Sequence, residues 1–382
     1  MVADGRRVNG EVRVARAPGR VNLIGEHTDY NGLPVLPMAL DRAVRIRFRP
    51  SPDGQVHLSS IEPRFAPVTF GVGATIPPGP QGDWGNYARA AAEILARECG
   101  ITRGVTGVVA SSVPVAAGLS SSSALVVATA LALLDANDVT VPRERLMALL
   151  ARGERYVGLE GGGMDQAISL GGRAGHAVRI DFRPRLALTA VPMPDNWRIV
   201  VAESGVPAAK ALGARAGYNS RVRECREALA QFATRWLEAP CADYQALSAR
   251  MAPHEALVRA EATLAGELLQ RFRHVVREGD RVVQAEAAMQ RGDAEAFGAL
   301  MRGSHASLRD DYEVSSPQLD RLVAVAEGAG AHGARLTGAG FGGCIVALAT
   351  AATVDGVVRA LEAVSPLVFV AVAGEGAAVA GD

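Results

Sequence analysis

Between Val113 and Leu134 the chain reads VPVAAGLSSSSALVVATALALL, and this run restricts the possible folds more than any other. A strand leads to Pro114, Gly118 allows backbone conformations a side chain would obstruct, and Ser120 to Ser123 fall where a long apolar helix begins. The first turn of a helix has four N–H groups without intrahelical partners and carries the positive end of the dipole. Such a turn can hold phosphate without a lysine. Serine hydroxyls add further donors and an oxygen ligand for Mg²⁺. Taken alone, the same run also fits a plain helix cap with surplus serines.

Composition narrows the function classes. The 382 residues with 49% hydrophobic content can bury two cores, at ~100–200 residues per domain. Forty basic and forty acidic side chains give a formal net charge of zero. Nothing in that balance calls for nucleic acid, and a small-molecule substrate is expected. The opening MVADGRRVNG has no apolar signal core, and no apolar run approaches the ~20 residues of a membrane span, so a cytoplasmic chain with no membrane partner is expected. Cys99, Cys225, Cys241 and Cys344 are scattered, which suits reduced thiols. A single lysine, Lys210, stands among the basic residues, in VPAAKALG. That context matches neither a Walker loop nor a protein-kinase strand, so any ATP chemistry must proceed without either.

The spacing predicts strands at Glu11–Ala15, Val44–Arg49 and Val105–Ser111. It predicts helices over WGNYARAAAEILAREC and over PRERLMALLARGERYVG, the second with Pro142 at its first helical position. From about residue 180 the chain turns Ala/Glu/Arg-rich and helical up to Ala329, then gives two short strands joined by TGAGFGG. The expected architecture is α+β in two domains, residues 1–180 and 181–382.

Three further clusters carry chemistry. In RAPGRVNLIGEHTDYNGLPVLPMAL, Arg20, Glu26, His27 and Asp29 crowd a Gly/Pro-rich segment read as a loop, where charge costs desolvation unless a ligand uses it. Carboxylates and an imidazole suit sugar hydroxyls, although a solvated loop with local ion pairs fits too. In ERYVGLEGGGMDQ, Gly161 to Gly163 let backbone approach a ligand, and Asp165 is either a helix cap or a carboxylate that orients an attacking hydroxyl. TGAGFGG by itself reads as an ordinary turn.

Together these clusters resemble, in order and over residues 16 to about 350, the GHMP family of small-molecule kinases and its galactokinase branch. GRVNLIGEHTDYNG resembles the branch's sugar signature, GLSSSSA the phosphate loop, MDQ the catalytic-aspartate segment and LTGAGFGGC the third glycine motif; SHASLRDDYEVSSPQLD also matches. The resemblance implies a two-domain GHMP fold with the active site in the interdomain cleft, and phosphorylation of a sugar's anomeric hydroxyl by ATP with Mg²⁺. It implies Arg20 and Asp165 as catalytic, and Glu26, His27, Asp29, Gly162 and Tyr218 on the sugar. Gly118, Leu119 and Ser120 to Ser123 would hold the nucleotide, with Trp84 and Tyr87 near the adenine, and Ser122 and Glu154 would hold the metal. A monomer is expected. EGGGMDQ in place of the commoner CGIMDQ, the extra serine, and the glycine placement in YNGLPVLPMA are similar to the subgroup with N-acetylgalactosamine kinase and plant galactokinases. Galactose and N-acetylgalactosamine both remain candidate acceptors, and a sugar-and-nucleotide sensor is the third reading.

Overall fold

The computed structural model describes residues 11–158, 160–207 and 213–381, the side chains of 213–215 excepted; Lys210 and the extreme N-terminus lie outside them. The chain starts with β1 (Arg13–Asn22), β2 (Pro37–Ser51), β3 (Gln55–Ser60), β4 (Val68–Gly71), α1 (Gly85–Cys99), β5 (Gly104–Ser111), α2 (Ser121–Ala136), α3 (Arg143–Gly153) and α4 (Met164–Gly171). A hairpin of β6 (His176–Asp181) and β7 (Ala187–Pro192) leads to β8 (Trp197–Glu203). Helices follow: α5 (Gly213–Trp236), α6 (Tyr244–Ser248), α7 (Pro253–Glu261), α8 (Gly266–Gln290), α9 (Ala294–Asp310) and α10 (Pro317–Gly328). The end is β9 (Gly333–Thr337), β10 (Cys344–Thr350), α11 (Val354–Glu362), β11 (Val368–Ala371) and β12 (Ala378–Gly381).

One sheet has the order β12-β1-β2-β5-β3-β4, antiparallel except for the β3–β5 pair, and a second has the order β11-β8-β10-β9. The helix after the serines is apolar on every side, and such a helix must be enclosed. Accordingly α2 lies between β1 and β2 on one side and α1 and α4 on the other, with almost every residue from Ser123 to Ala136 buried. Its alanines at 124, 128, 130 and 132 keep the packing close. A separate core joins Phe232, Phe272, Tyr312, Leu336 and Ile345 under the second sheet. A third cluster holds the two together, with Val21, Ile24, Leu36 and Leu119 meeting Trp197, Val201, Val282 and Val346. Among the described residues, no helix is long and apolar enough to cross a membrane.

Two local expectations need correction. RAPGRVN is strand rather than loop: β1 runs through Pro18 and Gly19, Pro18 still facing Ala43, and an irregularity that places two extra residues on the β2 side lets pairing resume at Arg20↔Ala39. Pro142 is the N-cap of α3, one position before the first turn, with an extended ψ of 138°.

Candidate active site

Arg20 leaves the end of β1 and turns toward the start of α2. Its Nε and Nη2 each lie 2.8 Å from Asp165 Oδ1, and its Nη1 donates to the Gly118 carbonyl at 2.6 Å. Its backbone N–H reaches the Leu119 carbonyl at 3.1 Å. A side chain at position 19 would collide with that carbonyl and with Val113, so only glycine lets β1 lie against the serine loop.

The serines do not act as caps. Ser120 is the N-cap of α2, in the left-handed region at φ 60°, yet its hydroxyl makes no capping bond and donates instead to Asp165 Oδ2 at 2.5 Å. Ser123 Oγ donates to Glu154 Oε1 at 2.6 Å and lies 3.3 Å from Asp165 Oδ2. The serine hydrogen-bonded to Glu154 is therefore Ser123, the neighbour of Ser122. Positions three apart share a helix face, so Ser123 follows Ser120 toward the carboxylates while Ser121 and Ser122 line the adjoining cavity. Asp165 is no cap either, because it is the second residue of α4 behind Gly163.

The sugar-signature loop begins after Asn22. Glu278 Oε1, from α8, accepts from the N–H groups of Gly25 and Glu26 at 2.9 and 3.3 Å, and Asn31 donates to the His27 carbonyl at 2.8 Å. The loop is thereby set in one conformation before any ligand arrives. Asp29 Oδ2 accepts from the Met164 N–H at 3.4 Å, which brings it beside Asp165. Burial first, then the Asp165 charge, pushes Asp29 up to about 6. His27 is buried, and burial with His274 nearby holds it down to about 3. Tyr218, on α5, stands 5.6 Å from the His27 ring and 5.5 Å from Tyr30, its phenol raised by burial and by Asp29 and Asp165. Gly162 backs onto Asp29 and the Tyr30 N–H so closely that a Cβ would strike both.

Glu26 is placed differently from Asp29. Its Oε1 accepts from Gly338 N at 2.7 Å and lies 3.3 Å from Thr337 Oγ1 and 3.6 Å from the buried Arg335. It ties the loop to TGAGFGG, which thus belongs to the site rather than being an isolated turn. A Cβ on Gly338, at φ +88°, would meet the Gly118 carbonyl, so the glycine loop rests directly on the serine loop.

Beside the serines opens a cavity of about 590 Å³, lined by Phe65, Trp84 and Tyr87 together with Gly118, Ser120, Ser121 and Ser122. Trp84 and Tyr87 also pack on the core around α1, so they serve both as cavity wall and as core. Aromatic rings and a helix N-terminus in the wall of one cavity suit a base and its phosphates.

Three family models match in chain order: the galactokinase galactose-binding signature over residues 6–50, the GHMP kinases N terminal domain over 86–173 and the GHMP kinases C terminal over 285–366. A galactokinase of Roseiflexus sp. is 42% identical, over 90% of this chain and 84% of its own. The chain belongs to the galactokinase family of GHMP kinases. The galactokinase of Homo sapiens is 38% identical over 91% of this chain and 86% of its own. Among solved structures, the Lactococcus lactis galactokinase complexed with galactose is 32% identical with a TM-score of 0.87, covering 97% of this chain and 95% of that one. The Methanococcus jannaschii mevalonate kinase, at 18% identity and TM-score 0.67, shares the fold.

Several residues of this galactokinase-family site escaped the sequence reading: Tyr30, Tyr312, Glu278 and Arg335. For Glu278 a signal existed. Arg271, His274, Val275, Glu278, Val282 and Ala285 share one face of α8 and all are buried. Charges along an apolar stripe demand partners.

Proposed function

We propose that this chain transfers the γ-phosphoryl group of ATP to the anomeric C1 hydroxyl of galactose, giving α-galactose 1-phosphate. The observation that carries the reading is the position of Asp165, where the sugar loop and the serine loop meet, shared by Arg20 and Ser120. In this reading Asp165 orients the C1 hydroxyl and takes its proton, while Arg20 neutralises charge that develops on the transferring group. Phosphoryl transfer depends mainly on such positioning and electrostatics. Glu26, His27, Asp29, Gly162 and Tyr218 form the sugar side, and Gly118 to Ser123 with Trp84 and Tyr87 form the nucleotide side.

A carboxylate and a hydroxyl 2.6 Å apart at the phosphate end are hard oxygen donors, a set that fits Mg²⁺ completed by phosphate and water. Glu154 with Ser123 would hold the ion, Ser122 lying on the cavity wall beside them. Bound there, it supplies neutralisation of the phosphate charge. We further read the chain as a cytoplasmic monomer that divides near residue 180, with β12 returning to pair with β1.

The test is ADP release with ATP and Mg²⁺ on galactose, N-acetylgalactosamine, glucose, arabinose and mevalonate, for the wild type and Asp165→Asn. Galactose should lead, and the variant should lose roughly 10²–10⁴-fold in kcat. Preference for N-acetylgalactosamine would make EGGGMDQ part of a pocket for the C2 substituent. Binding of both ligands without turnover would make the chain a sensor, and normal turnover by Asp165→Asn would remove the catalytic assignment.

A further inference from the structure

Behind His27 runs an unbroken line of side-chain hydroxyls. His27 Nδ1 is 2.8 Å from Tyr30 Oη, Tyr30 Oη is 2.7 Å from Tyr312 Oη, and Tyr312 Oη is 3.0 Å from Cys225 Sγ. Cys225 is held in turn by Tyr244, which donates to its carbonyl at 3.0 Å. Tyr312 is fully buried, its ring 4.7 Å from that of His27 and 4.3 Å from that of His274.

We propose that Tyr30 and Tyr312 are positioning residues for the acceptor sugar: their linked hydroxyls fix His27 with its proton on Nε2 and aim that N–H at a sugar hydroxyl. The proposal rests on the reading above that His27 lines the sugar site.

The direction of the line follows from the strengths of its members. Each link carries one proton, so all the donors point either toward His27 or toward Cys225. Toward His27, the thiol donates to Tyr312, Tyr312 to Tyr30, and Tyr30 to Nδ1. The opposite order would use the thiol sulfur, the weakest acceptor in the line, and would leave the imidazole nitrogen, the strongest, unused as an acceptor. Burial keeps the ring neutral, so it carries one N–H, and with Nδ1 accepting that proton sits on Nε2. The Ala339 carbonyl accepts from the ring and favours a proton there, in keeping with an N–H at Nε2, although that contact falls short of full hydrogen-bond geometry at the buried Nε2. A buried donor held only by that imperfect contact is better satisfied when a sugar hydroxyl accepts from it.

The experiment is ¹⁵N NMR of the histidine-labelled full chain, with the His27 signal assigned through His27→Asn, alongside steady-state kinetics. The wild type should show a pyrrole-type Nε2 and a pyridine-type Nδ1. Tyr30→Phe keeps the ring and removes the donor, so His27 should populate both tautomers. The KM for galactose should rise about tenfold, equivalent to ~1.4 kcal/mol, with kcat and the KM for ATP within about threefold of wild type. Tyr312→Phe, one link farther away, should move the same quantities less. A wild-type proton on Nδ1, or an unchanged tautomer in both variants, overturns the proposal. A shifted tautomer with an unchanged galactose KM would uphold the hydroxyl line and overturn the placement of His27 at the sugar.

Discussion

Asp29 is where the site strains against its own fold. To offer both oxygens as acceptors to a sugar it must be ionised, but burial and the neighbouring Asp165 push it up to about 6, against only the N–H groups of Tyr30 and Met164, with Glu26 adding a further like charge. A carboxyl raised in the folded state costs nothing while both states are protonated, and its cost grows as pH climbs from the ordinary carboxylate range through 6. Asp29→Asn should therefore melt higher than the wild type at pH 7.5, by the equivalent of about 3 kcal/mol, with the gain shrinking toward zero as pH falls to 4. Melting curves across that range check the sign; a gain that grew in acid would refute it. The same variant should lose galactose binding. The sequence showed the charge crowding at Glu26, His27 and Asp29, but not that the three would part company. His27 faces a hydroxyl line that passes from neighbouring Tyr30 to Tyr312, and Glu26 a glycine loop, so both depend on segments hundreds of residues away.

At the scale of elements, the start of α2 departs from what a run of serines ordinarily does. Ser316 and Asp293 cap their helices by accepting from Leu319 and Ala296, whereas Ser120 and Ser123 give their hydroxyls to Asp165 and Glu154. The energetic consequences should separate accordingly. Asp293→Ala should cost about 1 kcal/mol of stability and leave turnover intact, since it removes a cap far from the cleft. Ser123→Ala removes no cap but takes a hydrogen bond from the buried Glu154, so it should also cost about 1 kcal/mol while, unlike Asp293→Ala, kcat/KM for ATP falls. Paired denaturation and kinetic measurements decide between these, and a Ser123→Ala protein that lost stability but kept kcat/KM for ATP would take this serine out of the nucleotide site. The strand, glycine and helix around this loop were legible in VPVAAGLSSSSALVVATALALL because turn chemistry and apolar periodicity are local. The serine register was not, because it depends on where Glu154 and Asp165 arrive from other elements. The same limit explains RAPGRVN, whose proline and glycine read as loop until the pairing with β2 is known.

Across the whole molecule, Glu278 on α8 holds the first half of the chain to the second. It accepts from Gly25 and Glu26 of the sugar loop and from Ser304 of α9, and it pairs with Arg281 at 2.7 Å, all without exposure to solvent. Burial alone would raise this carboxyl, but Arg281, Arg335 and His274 outweigh it and hold it down to about 2. A depressed carboxyl contributes stability that is present above the ordinary glutamate range and is lost as pH falls toward its folded value. Glu278→Gln keeps the shape but leaves Arg281 and Arg335 without that carboxylate. Breaking a buried pair in this way costs on the order of 3–5 kcal/mol. The variant should accordingly melt well below the wild type at pH 7, and the gap should narrow as pH falls below about 4, where the wild type begins to lose the same contribution. Because the two N–H groups it holds belong to Gly25 and Glu26, the KM for sugar should rise more than the KM for ATP. Equal losses for both ligands would mean that Glu278 supports the fold generally instead of the sugar loop.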